Sequence, residues 1–190
     1  RRLQKLLKRS YANLLESVRR ITQDNKGKDT PGVDKEVINT PEKRVKLANS
    51  WIMPKAKPTR RVFIPKSNGK KRPLGIPTVE DRIAQNIVKN YLEPEWEAVF
   101  EPNSYGFRAG RSCHDAIEQI FNRFRNHHSG RNKWVLDADI RGCFDNLAHE
   151  SILNSIDTAP QIGLIRGWME AGYVYEGIKH NTNAGTPRFC

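Results

Sequence analysis

The sequence is short of acid and short of sulfur. Against 33 Lys and Arg it sets 21 Asp and Glu, for a net charge of +12, so an acidic polymer is the first partner to consider, a phosphate backbone being the commonest. A basic surface that is merely soluble stays open, because net charge governs association and not fold. The three cysteines, Cys113, Cys143 and Cys190, are odd in number and far apart, with no C-x-x-C and no histidine pair at zinc spacing. That excludes a disulfide framework and a zinc site and implies reduced thiols in a cytoplasmic protein. No apolar run reaches the roughly 18 residues of a membrane span, and there is no signal-peptide core, so no membrane partner is expected. The five histidines fall into no triad spacing and G-x-S-x-G does not occur, which leaves a nucleophile-type hydrolase without support. There is no Walker A pattern, no internal repeat and no low-complexity tract, and the chain opens on Arg1 rather than Met, which hints at an excised fragment. With 190 residues the chain can build one good core or two small lobes.

What is present is helical periodicity interrupted by one strong hairpin signal. Leu3, Leu7, Leu14, Val18 and Ile21 share a helical stripe, with Leu6 and Tyr11 beside it and arginines and lysines elsewhere, so residues 2–21 are predicted to form one amphipathic helix with a basic outer face. A Gly, Asp and Pro-rich loop follows. Thr40 ahead of Pro41 reads as an N-cap opening a short helix to about Trp51. RRVFIPKSNGKKRPLGIP has two extended runs about Ser67-Asn68-Gly69, a β-hairpin in which Asn-Gly suits a type I′ turn. Thr78 to Asp81 resembles a capping box for a helix with Ile83, Ile87, Val88 and Tyr91 inward, ending near Glu93-Pro94. After a Gly-rich loop, Ser112 to Asp115 caps a helix with Ala116, Ile117, Ile120, Phe121 and Phe124 inward. Lys133 to Ile140 reads as a strand, followed by helices near Asn146 to Ile156 and Gln161 to Ala171 and a short strand from Tyr173.

Three stretches invite chemistry. In VLDADIRGCFDNLAHE a strand would put Asp137 and Asp139 on one face, just before Gly142, where a hard cation such as magnesium can be held by one or two carboxylates plus substrate phosphates. The bland alternative is that these acids cap a helix or pair with arginines, and Asp145 is read as such a cap. The run opens like an EF-hand loop but has Arg141 at the fifth position and Ala148 at the twelfth, so calcium is not expected. The hairpin carries Arg60, Arg61, Lys66, Lys70, Lys71 and Arg72; Lys66 and Arg72, on opposite arms, are placed to grip a polyphosphate, unless the hairpin is only a solvated basic surface. Arg108 and Arg111 flank Gly110 beside Tyr105 and Phe107, which suits single-stranded or A-form nucleic acid, or is simply a loop.

Taken in order, RRVFIPKSNGKKRPLGIPTVEDRIAQ, NSYGFRAGRSCHDAI and VLDADIRGCFDNLAHE resemble three successive blocks of bacterial group II intron-encoded reverse transcriptases (maturases), and LLKRSYANLLESVRRITQDNKGKDTPGVD resembles their N-terminal extension. The resemblance covers nearly the whole chain. It implies an α+β, right-hand polymerase fold with helical fingers bearing a β-hairpin plus an incomplete palm. The divisions would be residues 1–40 as N-terminal extension with a template lid loop, 41–130 as fingers and 131–190 as partial palm. It implies an RNA-directed DNA polymerase using magnesium, with an RNA template and intron RNA, a DNA primer and a deoxynucleoside triphosphate as partners. By motif match Asp139 is the catalytic metal ligand, with the carbonyl of Ile140 beside it. Lys66 and Arg72 hold the triphosphate, Leu74 and Ile76 lie near the templating base, and Phe144 is the steric gate against a 2′-hydroxyl. Arg60, Arg61, Arg108 and Arg111 touch the template, and Thr30, Pro31 and Gly32 belong to the lid. The implied reaction is two-metal phosphoryl transfer to a primer 3′-oxygen.

Two departures bear on this. Lys35 follows Asp34 where the family usually has Gly. Asn183-Ala184-Gly185-Thr186-Pro187 resembles the approach to a Gly-Thr-Pro-Gln-Gly-Gly block but continues Arg188-Phe189-Cys190, and no Tyr-x-Asp-Asp occurs in these residues. A fragment, a frameshifted product and one piece of a split enzyme all fit that reading. This chain alone is therefore expected not to polymerise DNA at a useful rate, and a non-catalytic intron-RNA-binding module is the alternative. A two-metal nuclease would need more carboxylates than occur.

Overall fold

Thr78 starts the helix on which most of the molecule is built. The computed structural model describes residues 2–65, 67, 69–125 and 134–186; they form a mixed α+β structure in two units, residues 1–92 with 142–190, and residues 93–141. In the first unit Thr78 Oγ1 accepts from the Asp81 amide at 3.1 Å and donates to Asp81 Oδ2 at 2.8 Å, the reciprocal cap that the sequence pattern implies. Helix α4 (Val79–Val99) follows. Its Val79, Ile83 and Ile87 pack on Leu14, Val18 and Ile21, while Ala84, Val88 and Tyr91 pack on Trp168. One helix thus serves two clusters, and Ile83 and Ala84 are fully buried between them. Burial also pushes the Tyr91 phenol up to about 12. The helix continues past Pro94 instead of ending there; an internal proline removes one helical hydrogen bond and kinks the helix without having to stop it.

The N-terminal segment is two helices, α1 (Arg2–Lys8) and α2 (Tyr11–Arg19), rather than one. Ser10, extended at ψ 122, accepts from the Asn13 amide at 3.3 Å and starts the second helix afresh. The single stripe is broken there, which leaves Leu3, Leu6 and Tyr11 exposed. The buried face of α2 is partly polar: Asn90 Nδ2 donates to Asn13 Oδ1 at 2.7 Å and Asn86 Nδ2 to Ser17 Oγ at 2.9 Å. Beyond α2 the chain forms one wide turn, Arg20–Asp24, and helix α3 (Pro41–Asn49) begins at Thr40, whose hydroxyl accepts from the Lys43 amide.

Strands β1 (Thr59–Pro65) and β2 (Lys71–Ile76) make the hairpin in the register Pro65 opposite Lys71, and Asn68 of the expected Asn-Gly turn lies outside the described residues. Gly69 there has φ +76. A second hairpin, β3 (Tyr173–Tyr175) and β4 (Ile178–His180), adds to it with β3 parallel to β1, giving the sheet order β2-β1-β3-β4. The remaining helices of this unit are α6 (Cys143–Asn146), α7 (His149–Ser155) and α8 (Ile162–Glu170). Gly142, at φ +63, opens α6, so Asp145 lies within a short helix and is not the N-cap that the sequence suggests; α7 is preceded by Ala148. The first helical turn remains a favourable place for its carboxylate.

The second unit holds the end of α4, the loop that follows it and helix α5 (Cys113–Arg125), opened by the expected reciprocal cap of Ser112 and Asp115. Here the expected inward stripe is not inward: Ile117, Ile120 and Phe121 are each more than half exposed. Residues 134–140 form no strand and are exposed. A strand exists through its neighbour's hydrogen bonds, and among the described residues this segment has no strand beside it. Cys113 and Cys143 are free thiols.

Candidate nucleic-acid and nucleotide interface

Strand alternation sorts the hairpin's side chains onto two faces. Paired positions Arg60 with Ile76, Val62 with Leu74 and Ile64 with Arg72 share one face, whereas Arg61, Phe63, Pro73 and Gly75 share the other. Four of the candidates, Arg60, Arg72, Leu74 and Ile76, therefore fall together, and Arg61 falls apart from them. Leu74 is buried, Ile76 half-buried and Arg72 exposed. Lys66 lies outside the described residues.

Residues 30–32 are fastened on the Arg60 side. Arg60 Nε donates to the Pro31 carbonyl at 3.0 Å, and Gly32 lies so close to the start of α4 that a Cβ there would meet Thr78 Cα at 2.6 Å. Arg82, on the first turn of α4, donates to the Gly27 carbonyl at 2.9 Å and the Thr30 carbonyl at 2.7 Å. Burial lowers its guanidinium pKa from the usual value, with Asp34 acting the other way, and it stays charged. Arg82 was not among the sequence candidates: an arginine on a helix looks solvent-directed until its partners, more than fifty residues away in the chain, fold onto it.

Phe144 is about half exposed at 48% and is tied to the Gly185-Thr186 segment. Its carbonyl accepts from the Thr186 amide at 2.8 Å, Leu147 O accepts from the Gly185 amide at 2.8 Å, and His149 Nε2 lies 2.8 Å from Gly185 O. Gly185 has φ +80, and a Cβ would come within 2.8 Å of the Phe144 and Asp145 carbonyls, so a glycine is required. His149 carried no functional signal in the sequence.

The second unit carries the other candidates. Arg108 has a side chain only 3% exposed; Nε donates to Glu97 Oε2 at 3.0 Å, Nη2 to Glu97 Oε1, and Nη1 to the carbonyls of Glu101 and Ser104 at 2.7 and 2.9 Å. That hydrogen bonding holds the Glu97 carboxyl below its ordinary value. Arg111 donates to the Pro102 and Ser104 carbonyls and lies over the Tyr105 ring. The two arginines thus shape the loop, and the residue it displays is Phe107, 99% exposed at φ 58. Asp139 and Ile140 are exposed.

Divalent ions are the general requirement of the polymerase chemistry that the motifs imply. Among the described residues no three Asp, Glu, His or Cys side chains come together. A magnesium ion demands near-octahedral oxygen coordination, and Asp139 with the Ile140 carbonyl offers three oxygens at most. The described residues by themselves do not build a metal centre.

A strongly basic chain with a cationic hairpin, a carbonyl-clasped loop beside it and an exposed aromatic next to an arginine is of the class that handles nucleic acid. Among the described residues no helix is long and apolar enough to cross a membrane. Comparison with known proteins narrows the class. Residues 64–189 match the model of the reverse transcriptase (RNA-dependent DNA polymerase) family, and residues 1–51 match the N-terminal domain of reverse transcriptase. Protein YkfC of Escherichia coli is 34% identical over 98% of this chain and 52% of its own length. The group II intron-encoded protein LtrA of Lactococcus lactis is 38% identical over 86% of this chain and 28% of its own. An uncharacterized 91 kDa protein in the cob intron of Schizosaccharomyces pombe is 37% identical over 69% of the chain and 16% of its own. The chain belongs to the reverse transcriptase family, among the group II intron reverse transcriptases and maturases, and it spans about half or less of the length of these relatives.

Proposed function

We propose that the chain works as the N-terminal extension, fingers and first part of the palm of a right-hand RNA-directed DNA polymerase. The observation that carries this reading is the hairpin register, which puts Arg60, Arg72, Leu74 and Ile76 on one face, where Arg60 also fastens the lid at Pro31. On this reading Lys66 and Arg72 grip the triphosphate of the incoming nucleotide, since arginine can clasp phosphate bidentately and lysine acts as a point charge. Ile76 lies against the templating base with Leu74 packed behind it. Thr30, Pro31 and Gly32 cover the RNA template, and Phe144 excludes a sugar bearing a 2′-hydroxyl. The loop shaped by Arg108 and Arg111 follows the template backbone. Asp139 and the Ile140 carbonyl are this chain's contribution to magnesium binding.

One observation favours a second reading, a non-catalytic module that binds intron RNA: the described residues gather no cluster of three acids. The two separate in one experiment on a polypeptide of the curated relatives' length. RNA-templated primer extension with magnesium is expected, lost in Asp139→Ala, while RNA affinity at fixed salt stays within about twofold, because the aspartate makes no phosphate contact of the kind that sets salt-dependent binding. Salt-sensitive RNA binding with no extension by the unsubstituted polypeptide would sink the polymerase reading and leave the binding module.

A further inference from the structure

Arg61 differs from the other arginines around it. Arg60, Arg82, Arg108 and Arg111 are each spent on backbone carbonyls. The Arg61 guanidinium instead lies 3.8 Å over the ring of Tyr173, and among the described residues its buried Nε has no hydrogen-bond partner and no carboxylate pairs with it. Tyr173 is itself placed twice: it pairs with Thr59 in the parallel β1-β3 contact, and its ring stacks on His180 at 4.8 Å between centroids. A buried cationic donor without an acceptor is costly. The aromatic face offsets part of the loss of water and fixes the plane of the guanidinium, leaving its edge of N–H donors free.

Beside Arg61 is a cavity of about 80 Å³ on the hairpin face opposite Arg72, lined also by Thr59, Tyr173, Thr182, Gly185 and Thr186. It has room for several waters. Among the described residues no acidic one lines it, and beside Arg61 its polar lining is hydroxyl and backbone. That is the chemistry of an anion site for a single small group, too small for a base.

We propose that Arg61 and this cavity bind one phosphate group, and that Tyr173 is the positioning residue that holds the guanidinium for it. The source of the phosphate, a nucleic-acid backbone or a nucleotide, rests on the function proposed above; the site itself does not. The bland competitor is a strut in which Arg61 merely ties β1 to β3.

The test uses this chain labelled at arginine nitrogen, with the Arg61 Nε–H resonance identified by its loss in Arg61→Lys. Inorganic phosphate is expected to shift that resonance in the unsubstituted chain and in Tyr173→Phe, which keeps the ring, and to bind at least tenfold more weakly in Tyr173→Leu. With a single-stranded RNA oligonucleotide as probe, Arg61→Met lowers the slope of log affinity against log salt by about 0.7, the amount for one phosphate contact on a single strand. An unchanged slope with a tenfold loss of deoxynucleoside triphosphate affinity assigns the phosphate to the nucleotide and equally supports the site. A resonance indifferent to phosphate, with Arg61→Met altering only the melting temperature, overturns the proposal in favour of the strut. If the unsubstituted chain binds no RNA but phosphate still shifts the resonance, the proposed function fails and the site stands.

Discussion

Lys35 sits at φ 59, in the left-handed region that residues with a side chain enter at a cost, one position after Asp34, whose Oδ1 accepts from the Glu36 amide at 3.2 Å. The family resemblance implies glycine at this point, and the turn has the conformation that glycine favours. Lys35→Gly is expected to stabilise the chain by about 0.5–1 kcal/mol, the relief of the left-handed strain exceeding the entropy that glycine adds to the unfolded state. Urea denaturation measures it, and a loss of stability would show that the turn is not strained. At this scale much was legible. The caps at Thr40, Thr78 and Ser112 formed as read because a cap needs partners only three residues away. Arg82 and Arg108 were not legible in the same way. Arg82 holds two carbonyls, and Arg108 two carbonyls and a carboxylate, that only the fold, or the path of a loop, delivers.

Among the elements, residues 30–32 and the start of α4 behave as one piece. The Thr78 backbone that Gly32 approaches belongs to a capped helix start and cannot easily give way, so Gly32→Ala is expected to cost about 1–3 kcal/mol, as for overpacking in a tight site. Weaker RNA binding should accompany it. Gly106→Ala, where a Cβ meets nothing within 4 Å, is the control, and equal stability losses in thermal melts of the two variants would refute the close-contact account. The hairpin was legible because Asn-Gly and alternating apolar residues are local signals, and so was the strand at Tyr173; that the two join in one sheet was not. The N-terminal helix was overextended, because periodicity ignores a serine able to restart the helix. Residues 134–140 and the stripe of α5 read as buried elements because apolar periodicity reports a capacity for burial, and burial needs a partner surface that the described residues do not supply.

For the whole molecule, stability against pH turns on Asp81, fully buried where α4 meets α8 and accepting from Trp168 Nε1 at 2.9 Å. Burial raises its carboxyl above the ordinary 3.8, while the hydrogen bonds from Trp168 and Thr78 pull the other way. A carboxyl whose folded value is raised holds its proton more tightly folded than unfolded. Its contribution is therefore fully present below the unfolded value and is lost as pH rises through the folded one. Asp81→Asn removes that loss, so the stability of the variant relative to the unsubstituted chain should improve as pH rises from the ordinary carboxylate value through the raised folded one. A difference that is the same at every pH would count against a raised carboxyl. By itself the sequence determined the basic character, the caps, the hairpin and the family blocks, since each is written in neighbouring residues or in composition. Only the tertiary structure decided which arginines are spent on carbonyls, that Arg61 faces away from Arg72, and that Gly185 and Thr186 dock on Phe144. Those outcomes depend on which distant backbone comes within hydrogen-bond reach, and nothing local in the chain encodes that.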